Sequence, residues 1–125
     1  MINKINTENA PKAIGPYSQA IEVETLIITS GELPINPKSG KIETNNISDQ
    51  TKQSLENVKA ILEVKGRSMS DIIKTTVFLS DIKEFAEMNE VYNKYFSDPY
   101  PARSCFQVAA LPMDAKVEIE VICGK

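Results

Sequence analysis

The sequence "DIIKTTVFLSD", residues 71–81, is the segment that decides the fold. Its β-branched and apolar residues predict a strand across about Ile72–Leu79. A segment with helical spacing lies on each side of it, and further strand-like segments lie beyond those. A strand between two helices restricts the architecture, because each apolar helix stripe must pack against a sheet or another helix.

The segment before this strand predicts a first helix. Ser48 is a suitable N-cap, and Asp49 would follow it in the first turn. Gly66 is a good residue for the position just after the helix ends. The predicted apolar stripe consists of Leu55, Val58, Ile61 and Leu62.

The segment after the strand predicts a second helix. Asp81 and Glu84 have the spacing of a capping box, with Glu84 at the third helical position. Pro99 ends this helical region. The apolar residues that recur at helical spacing are Phe85, Met88, Tyr92 and Phe96.

Strand-like segments flank both helices. "IEVETLIITSG" (21–31) predicts two strands around Glu24 and Thr25, while "SCFQVAAL" (104–111) and "KVEIEVIC" (116–123) predict the last two. The order β-β-α-β-α-β-β predicts an α+β fold with a mainly antiparallel or mixed sheet and both helices on one face. Because one helix layer leaves the other sheet face uncovered, we expect self-association.

Composition excludes several classes of function. The chain has 125 residues, which predicts a single domain over 1–125, and its net charge of −3 argues against broad binding to nucleic acid. It contains no histidine, which removes histidine-based triads, Cys–His pairs and ordinary zinc sites. The sequence has no apolar run long enough to span a membrane, and its N-terminus does not resemble a leader peptide, so we expect a cytoplasmic protein. In that compartment we expect Cys105 and Cys123 to remain buried thiols rather than to form a disulfide.

Arg103 is the first candidate site residue. It lies in "DPYPARSC" (98–105), and Arg67 is the only other arginine. Two prolines stiffen the loop before it, so its planar guanidinium would be held in one direction. That arrangement suits bidentate capture of a carboxylate or phosphate. The alternative is a structural ion pair with one of the 17 acidic residues.

Two further signals come from polar residues in apolar surroundings. The alternation in "VEIEV" (117–121) places Glu118 and Glu120 on one face of a strand, where they are either solvated or form a site with raised pKa values. Asn89 lies on the apolar stripe of the second helix, so its amide either makes a core contact or faces a site.

Weaker signals come from small and polar residues near turns. Tyr17 follows the Gly15–Pro16 turn, which would present its ring outward, and Ser30–Gly31 ends a strand where a hydroxyl and an open backbone N–H could contact a ligand. Cys105 could be a nucleophile, but no histidine is present to activate it, so packing is the favoured interpretation.

Six ordered blocks carry a resemblance to a known family: "NAPKAIGPYSQAI", "LIITSGELPINPKSG", "QSLENVKAILE", "IIKTTVFLSDI", "FAEMNEVYNKYF" and "PARSCFQVAALPMDAKVEIEV". Over nearly its whole length the chain resembles the Rid (YjgF) family, in particular the reactive intermediate deaminase A branch. The resemblance implies a chorismate-mutase-like α+β fold and a homotrimer with sites in the clefts between subunits. It also implies hydrolysis of 2-enamine and 2-imino acids, such as 2-aminoacrylate and 2-iminobutanoate, to 2-keto acids and ammonia, without a metal or organic cofactor.

The resemblance also implies roles for individual residues. Arg103 would grip the substrate carboxylate, and Glu118 would position water or move a proton. The remaining pocket positions would be Tyr17, Ser30, Gly31, Asn89 and the backbone of Cys105. The segment before "PYPARSC" is shorter than in some relatives, which leaves the pocket rim and the preferred substrate side chain open.

The sequence leaves two other functions open. Relatives described as translation inhibitors with endoribonuclease activity suggest an RNA-cleaving enzyme, although the acidic chain without histidine gives this little support. The other alternative is a non-catalytic binder of small keto or amino acids, or a holdase-like chaperone. Glu118 separates a pure binder from a deaminase, because a pure binder of carboxylates has no need of a second carboxylate in its site.

Overall fold

The computed structural model describes residues 1–125 as six strands and two α-helices. The sheet has the order β1-β2-β3-β6-β4-β5, in which β4 and β5 are parallel and all other neighbours are antiparallel. The predicted α+β class with a mixed sheet and two helices is therefore confirmed. The elements are β1 (Ile2–Ile5), β2 (Ala20–Val23), β3 (Leu26–Thr29), α1 (Ile47–Glu63), β4 (Ile72–Leu79), α2 (Phe85–Asn93), β5 (Ala102–Gln107) and β6 (Val117–Cys123).

The strand β4 has the predicted bounds and lies between β6 and β5. Thr75, Val77 and Leu79 are fully buried against the helices, whereas the alternate residues Thr76 and Phe78 are only partly buried. This is the period of two that an extended strand imposes on its side chains. One face of the sheet therefore packs against both helices, and we call the other the open face, carrying Thr76 and Phe78.

The last strand, β6, joins the two parts of the sheet. It pairs with β3 through Ile28 and Ile122 and with β4 through Leu79 and Val117. Its helix-side residues Val117, Ile119 and Val121 are buried in the core, and Glu118 lies between them on the open face.

The first helix begins earlier than predicted. Asn46, not Ser48, is the N-cap, and its side-chain Oδ1 accepts a hydrogen bond from the backbone N–H of Asp49 at 2.8 Å. Ser48 lies inside the first turn. The predicted end is confirmed: Gly66 has φ +67°, and the N–H of Arg67 donates to the carbonyl of Leu62 at 3.0 Å, which closes the helix in a left-handed turn.

The second helix begins with only half of the predicted capping box. The carboxylate of Asp81 accepts a hydrogen bond from the N–H of Lys83 at 2.9 Å, at the start of a single 3-10 turn. Glu84 does not return to Asp81, because its carboxylate faces the ammonium of Lys116 at 3.8 Å. The helix then runs from Phe85 to Asn93.

Two features of the sheet edge and the open face complete the architecture. The edge strand β1 was not predicted, because "INKI" is short and only Ile5 is buried.

The open face carries exposed apolar side chains, including Ile28 and Phe106, and the Phe106 ring contacts Phe78 edge-on with centroids 5.3 Å apart. No helix of the chain packs on this face, and its side chains Thr76, Phe78, Ile28 and Phe106 remain exposed or only partly buried.

Cys105 and Cys123 are free thiols rather than a disulfide. Cys123 is buried as expected, whereas Cys105 is only partly buried, because it lies on the edge strand β5. Neither α-helix has the length and apolar character that crossing a bilayer requires.

Candidate functional site

The predicted site residues fall into two groups on opposite faces of the sheet. Asn89, Arg103 and Cys105 form one group, which we call the Arg103 half, on the helix side of the edge strand β5. The other group, the Glu118 half, lies around the open face near the end of β3. Its members are Tyr17, Ser30, Gly31 and Glu118.

The register of β5 places Arg103 on the helix side. Arg103 pairs with the buried Thr75 of β4, so its side chain extends beneath α2. The guanidinium carbon lies 4.7 Å from the ring centre of Tyr92 and 5.4 Å from that of Phe85. Both distances are within the range of cation–π attraction. The hydroxyl group of Tyr92 is itself fixed by a 2.8 Å hydrogen bond with Thr75.

One hydrogen bond fixes the direction of the guanidinium. Nη1 of Arg103 donates to Oδ1 of Asn89 at 2.7 Å. The three ion pairs of the chain involve other cations, so Arg103 has no carboxylate partner. The alternative of a structural ion pair within the chain is therefore wrong. A guanidinium carries five N–H donors, so most of its donors remain available for an anion.

A pocket of about 400 Å³ opens in front of this guanidinium. Besides Pro101 and residues already named, Asn93 and Tyr100 line it, and the Tyr100 hydroxyl donates to Oδ1 of Asn93 at 3.2 Å. These two residues were not predicted. Helical spacing could have found Asn93, because it follows Asn89 by four positions and so lies on the same helix face.

Cys105 contributes a neutral thiol to the Arg103 half. It is half-buried against the core, and burial raises the pKa of its thiol, with the charge of Arg103 acting in the opposite direction. A thiol that stays protonated is a poor nucleophile. The interpretation of the Cys105 side chain as packing is consistent with this environment.

Gly31 and Glu118 meet closely in the Glu118 half. A Cβ atom on Gly31 would lie 2.6 Å from Oε2 of Glu118, so the carboxyl group rests directly over the glycine backbone. Burial raises the pKa of Glu118, and the charge of Glu120 raises it further. Glu120 itself is exposed. The two glutamates therefore differ: the solvated interpretation fits Glu120, and the site interpretation fits Glu118.

Ser30 ties the end of β3 to the loop that carries Tyr17. Its hydroxyl donates to the carbonyl of Ser18 at 2.6 Å, and its N–H donates to the carbonyl of Gln19 at 2.9 Å. Tyr17 is half-exposed, and its hydroxyl accepts a hydrogen bond from the N–H of Ile14 at 3.3 Å. Ser30 therefore fixes the position of Tyr17 beside Gly31.

Glu32 is a member of this region that the sequence did not single out. Only 5% of its surface is exposed, and it lines a pocket of about 40 Å³ together with Tyr17 and Gly31. Burial raises the pKa of its carboxyl group to about 8, with the charge of Glu118 as the second cause. A glutamate next to a glycine at a strand end is typically solvated, so no local pattern indicated this burial.

The two halves do not meet within one chain. Arg103 extends from the helix side of an edge strand, whereas Glu118 extends from the open face of a central one. The chain also contains no group of three or more Cys, Asp or Glu residues placed to hold a metal ion. Chemistry that needs both Arg103 and Glu118 therefore requires residues from more than one copy of the chain.

Comparison with known proteins identifies relatives over nearly the full length. The family model described as Endoribonuclease L-PSP matches residues 7–124. A RutC family protein of Pyrococcus horikoshii is 54% identical over 97% of this chain and 96% of its own length. The 2-iminobutanoate/2-iminopropanoate deaminase of Escherichia coli K12 is 50% identical over 98% of this chain and 97% of its own length.

Solved structures agree with this assignment. The crystal structure of E. coli TdcF with bound serine superposes with a TM-score of 0.93 at 48% identity, covering 98% of each chain. Family model, sequence relatives and three-dimensional similarity all extend over both halves of the candidate site. The chain therefore belongs to the Endoribonuclease L-PSP family, which is also known as the Rid or YjgF family.

Proposed function

We propose that this protein hydrolyses reactive 2-enamine and 2-imino acids to 2-keto acids and ammonia. The observation that carries the proposal is the Arg103 guanidinium, which is held by Tyr92 and Asn89 but lacks an anionic partner. A fixed cation with free donors is suited to a small carboxylate. The 50% identity to the E. coli deaminase supports the same class of substrate.

The active site of the proposed enzyme lies between two copies of the chain. One copy supplies the Arg103 half, and the other supplies the Glu118 half from its open face. Exposed Phe106, which contacts Phe78, and exposed Ile28, which pairs with Ile122, support burial of that face in an assembly, because grouped apolar side chains favour contact with another protein surface. We infer a homotrimer, in which each cleft contains both halves.

The proposed reaction begins with binding of the iminium form of the substrate. Arg103 holds the carboxylate of the substrate and places C2 of the imine near Glu118 of the second copy. An iminium carbon is already electrophilic, so catalysis requires mainly positioning and control of protons. For the same reason the proposed chemistry requires no cofactor.

Glu118 then moves the protons of the reaction. It accepts a proton from a water molecule whose oxygen bonds to C2, which gives a carbinolamine with a neutral amino group. Glu118 returns that proton to the nitrogen, the C–N bond breaks, and ammonia leaves. As the C=O bond forms, the hydroxyl proton passes through Glu118 to ammonia, so that ammonium and a 2-keto acid are the final products.

The environment of Glu118 supports this role. Burial and the neighbouring Glu120 raise the pKa of its carboxyl group, which brings it closer to the pH at which the enzyme would work. Efficient general acid–base groups have pKa values near the working pH, because they must both accept and release a proton.

A second candidate function is binding of small amino or keto acids without chemistry. The bound serine in the related E. coli TdcF favours it. The Arg103 half alone would serve such a binder, but a partly buried carboxyl group facing a carboxylate ligand would weaken binding. Cleavage of RNA, which the family description suggests, has weaker support because the chain carries a net charge of −3.

The test combines an activity assay with subunit mixing. An amino-acid oxidase or dehydratase generates 2-imino acids from a panel of parent amino acids, and 2-keto acid release is measured with and without the protein. Arg103→Ala and Glu118→Gln variants are assayed alone and after being unfolded and refolded together. We expect acceleration by the wild type, none by either variant, and partial recovery in the mixture.

Two outcomes would overturn the proposal. Absence of acceleration for every parent amino acid would leave binding as the function. Absence of recovery in a correctly refolded mixture would contradict a site shared between copies. RNA incubated with rigorously purified wild type and Arg103→Ala serves as the control for the endoribonuclease alternative.

A further inference from the structure

Glu32 is a buried carboxyl group that the proposed mechanism does not use. Only 5% of its surface is exposed, and no cation lies within ion-pair distance of its carboxyl group. Lys12 lines the same small pocket but forms no ion pair with Glu32. An unpaired, ionised carboxylate is costly to bury, so this environment favours the neutral acid.

The backbone fixes Glu32 directly behind the Glu118 half. Its N–H donates to the carbonyl of Ile119 at 2.7 Å, and the N–H of Ile119 donates back to its carbonyl at 3.2 Å. This antiparallel bridge places the side chain of Glu32 on the same side as Ile119, opposite to Glu118. Gly31, which carries no side chain, is the residue that touches Glu118.

The charged and titratable side chains around Glu32 come from two elements. The N-terminal loop contributes Lys12 and Tyr17, and β6 contributes Glu118 with Glu120 beyond it. No residue of α1 lines the pocket of Glu32; the amide of its Asn57 donates to the carbonyls of Leu33 and Ile35, which follow Glu32 in the chain, and does not titrate. Glu118 is thus the nearby group whose charge acts on the ionisation of Glu32.

We propose that Glu32 is a positioning residue that stays uncharged and thereby leaves Glu118 as the only anion of its half, so that an anionic ligand can enter. This inference rests on the proposed function for the identity of the ligand, a 2-keto or 2-imino acid. Ionisation of Glu32 adds a second negative charge behind Gly31. That charge repels the ligand carboxylate and sets the upper pH limit of binding.

The direction of the pKa shift agrees with this role. Burial, and then Glu118, raise the pKa of Glu32 to about 8, so the group is mostly protonated at neutral pH. In the unfolded chain the same group ionises near 4.5. Between these values the folded state binds one more proton, so the stability contributed by this group is complete below about 4.5 and is lost as the pH rises toward 8.

The decisive experiment measures binding of the product 2-oxobutanoate between pH 6 and 9.5 by calorimetry. We compare the wild type with Glu32→Gln, in which a neutral amide replaces the neutral acid, and with Glu63→Gln, which removes an exposed charge. The wild type and Glu63→Gln are expected to lose roughly tenfold more affinity above pH 8 than Glu32→Gln. Equal pH dependence in all three proteins would overturn the inference.

A second readout does not depend on ligand or activity. The amide resonance of Gly31 in NMR spectra is expected to titrate with a midpoint near pH 8 in the wild type and to lack this titration in Glu32→Gln. The melting temperature of Glu32→Gln is expected to exceed that of the wild type increasingly as the pH rises from 6 to 9. If Glu32→Gln folds poorly, Glu32→Ala provides the same loss of titration.

The two proposals fail separately. A protein that binds 2-oxobutanoate with the expected pH dependence but hydrolyses no imine contradicts the deaminase and supports the role of Glu32. A protein that hydrolyses imines with no titration of Gly31 near pH 8 supports the deaminase and contradicts the role of Glu32.

Discussion

The Arg103 half and the Glu118 half differ in burial and in the property of the charged group that the fold controls. Arg103 is exposed, so burial does not oppose its charge. The fold fixes the direction of its guanidinium through two aromatic rings and one amide. Glu118 is partly buried over Gly31, and what the fold supplies is a raised pKa. In the Arg103 half the fold therefore fixes the geometry of a charged group, and in the Glu118 half it raises the proton affinity of a carboxyl group.

This difference predicts different kinetic consequences. Changes in the Arg103 half should act on binding of the carboxylate, with little dependence on pH. Changes in the Glu118 half should act on the chemical step and on the pH profile. Substitutions at four residues test this separation, from the largest expected effect to the smallest.

Removal of the guanidinium should have the largest effect. Arg103→Ala is expected to lower kcat/KM for imine hydrolysis more than about 100-fold, since charge-assisted contacts to a carboxylate contribute about 3 kcal/mol or more. Arg103→Lys should also lose most activity, because a point charge cannot make a two-pronged contact. Lys59→Ala, which removes an exposed cation on α1, is the control. An unchanged rate for Arg103→Lys would contradict the geometric role.

Replacement of the Glu118 carboxyl should slow chemistry and spare binding. Glu118→Gln is expected to lower kcat about 100-fold, within the range for loss of a general acid–base group, while 2-oxobutanoate still binds. Rates from single-turnover assays and affinities from calorimetry separate the two quantities. Loss of assembly or of ligand binding in this variant would mean that Glu118 is structural.

Removal of the aromatic support should have an intermediate effect. Tyr92→Leu is expected to raise KM roughly 3- to 30-fold, because cation–π contacts contribute about 0.5–2 kcal/mol. Tyr92→Phe keeps the ring beneath Arg103 and loses the hydrogen bond to Thr75. Its KM should therefore stay near that of the wild type, while its unfolding free energy falls by about 1 kcal/mol. Equal KM values for both variants would show that the ring does not position Arg103.

The smallest effect is expected at Cys105. Its predicted contribution to the pocket is through the backbone, which a side-chain change retains, and burial raises the pKa of the thiol. Cys105→Ala is expected to change kcat/KM by less than about threefold, with a modest loss of stability from the small cavity. A loss comparable to that of Glu118→Gln would mean that the thiol takes part in the reaction.

Much of the fold could be predicted because local patterns agreed with the tertiary structure. The bounds of β4 and the left-handed end of α1 at Gly66 follow from strand propensity and helix termination, and both are confirmed. The N-cap Asn46 and the strand β1 were not predicted. Two capping residues compete within three positions of each other, and β1 gains its structure from pairing with β2 rather than from its own pattern.

The site could be predicted only in part. The resemblance supplied seven site residues, and the structure places them in two groups. The roles of these residues stay predictions. The trimer, the single domain and the cytoplasmic location also stay predictions. Glu32 could not be found from the sequence, because its burial depends on a bridge to Ile119, which is far away in the chain. Asn93 and Tyr100 lacked a signal stronger than helical spacing and proximity to Arg103.

The position of β6 has a consequence for the order of folding. Shorter segments of the chain suffice to form the β2–β3 hairpin and the β4–β5 pair. The strand β6 joins these two parts, because it pairs with both β4 and β3. Its pairing with β3 brings together residues from near the two ends of the chain, as in Ile27 with Cys123. Such closure is slow, because a long loop must lose its freedom before the contacts form. Gly31 meets Glu118 only after β6 has docked, so the Glu118 half should be the last part of the molecule to take shape.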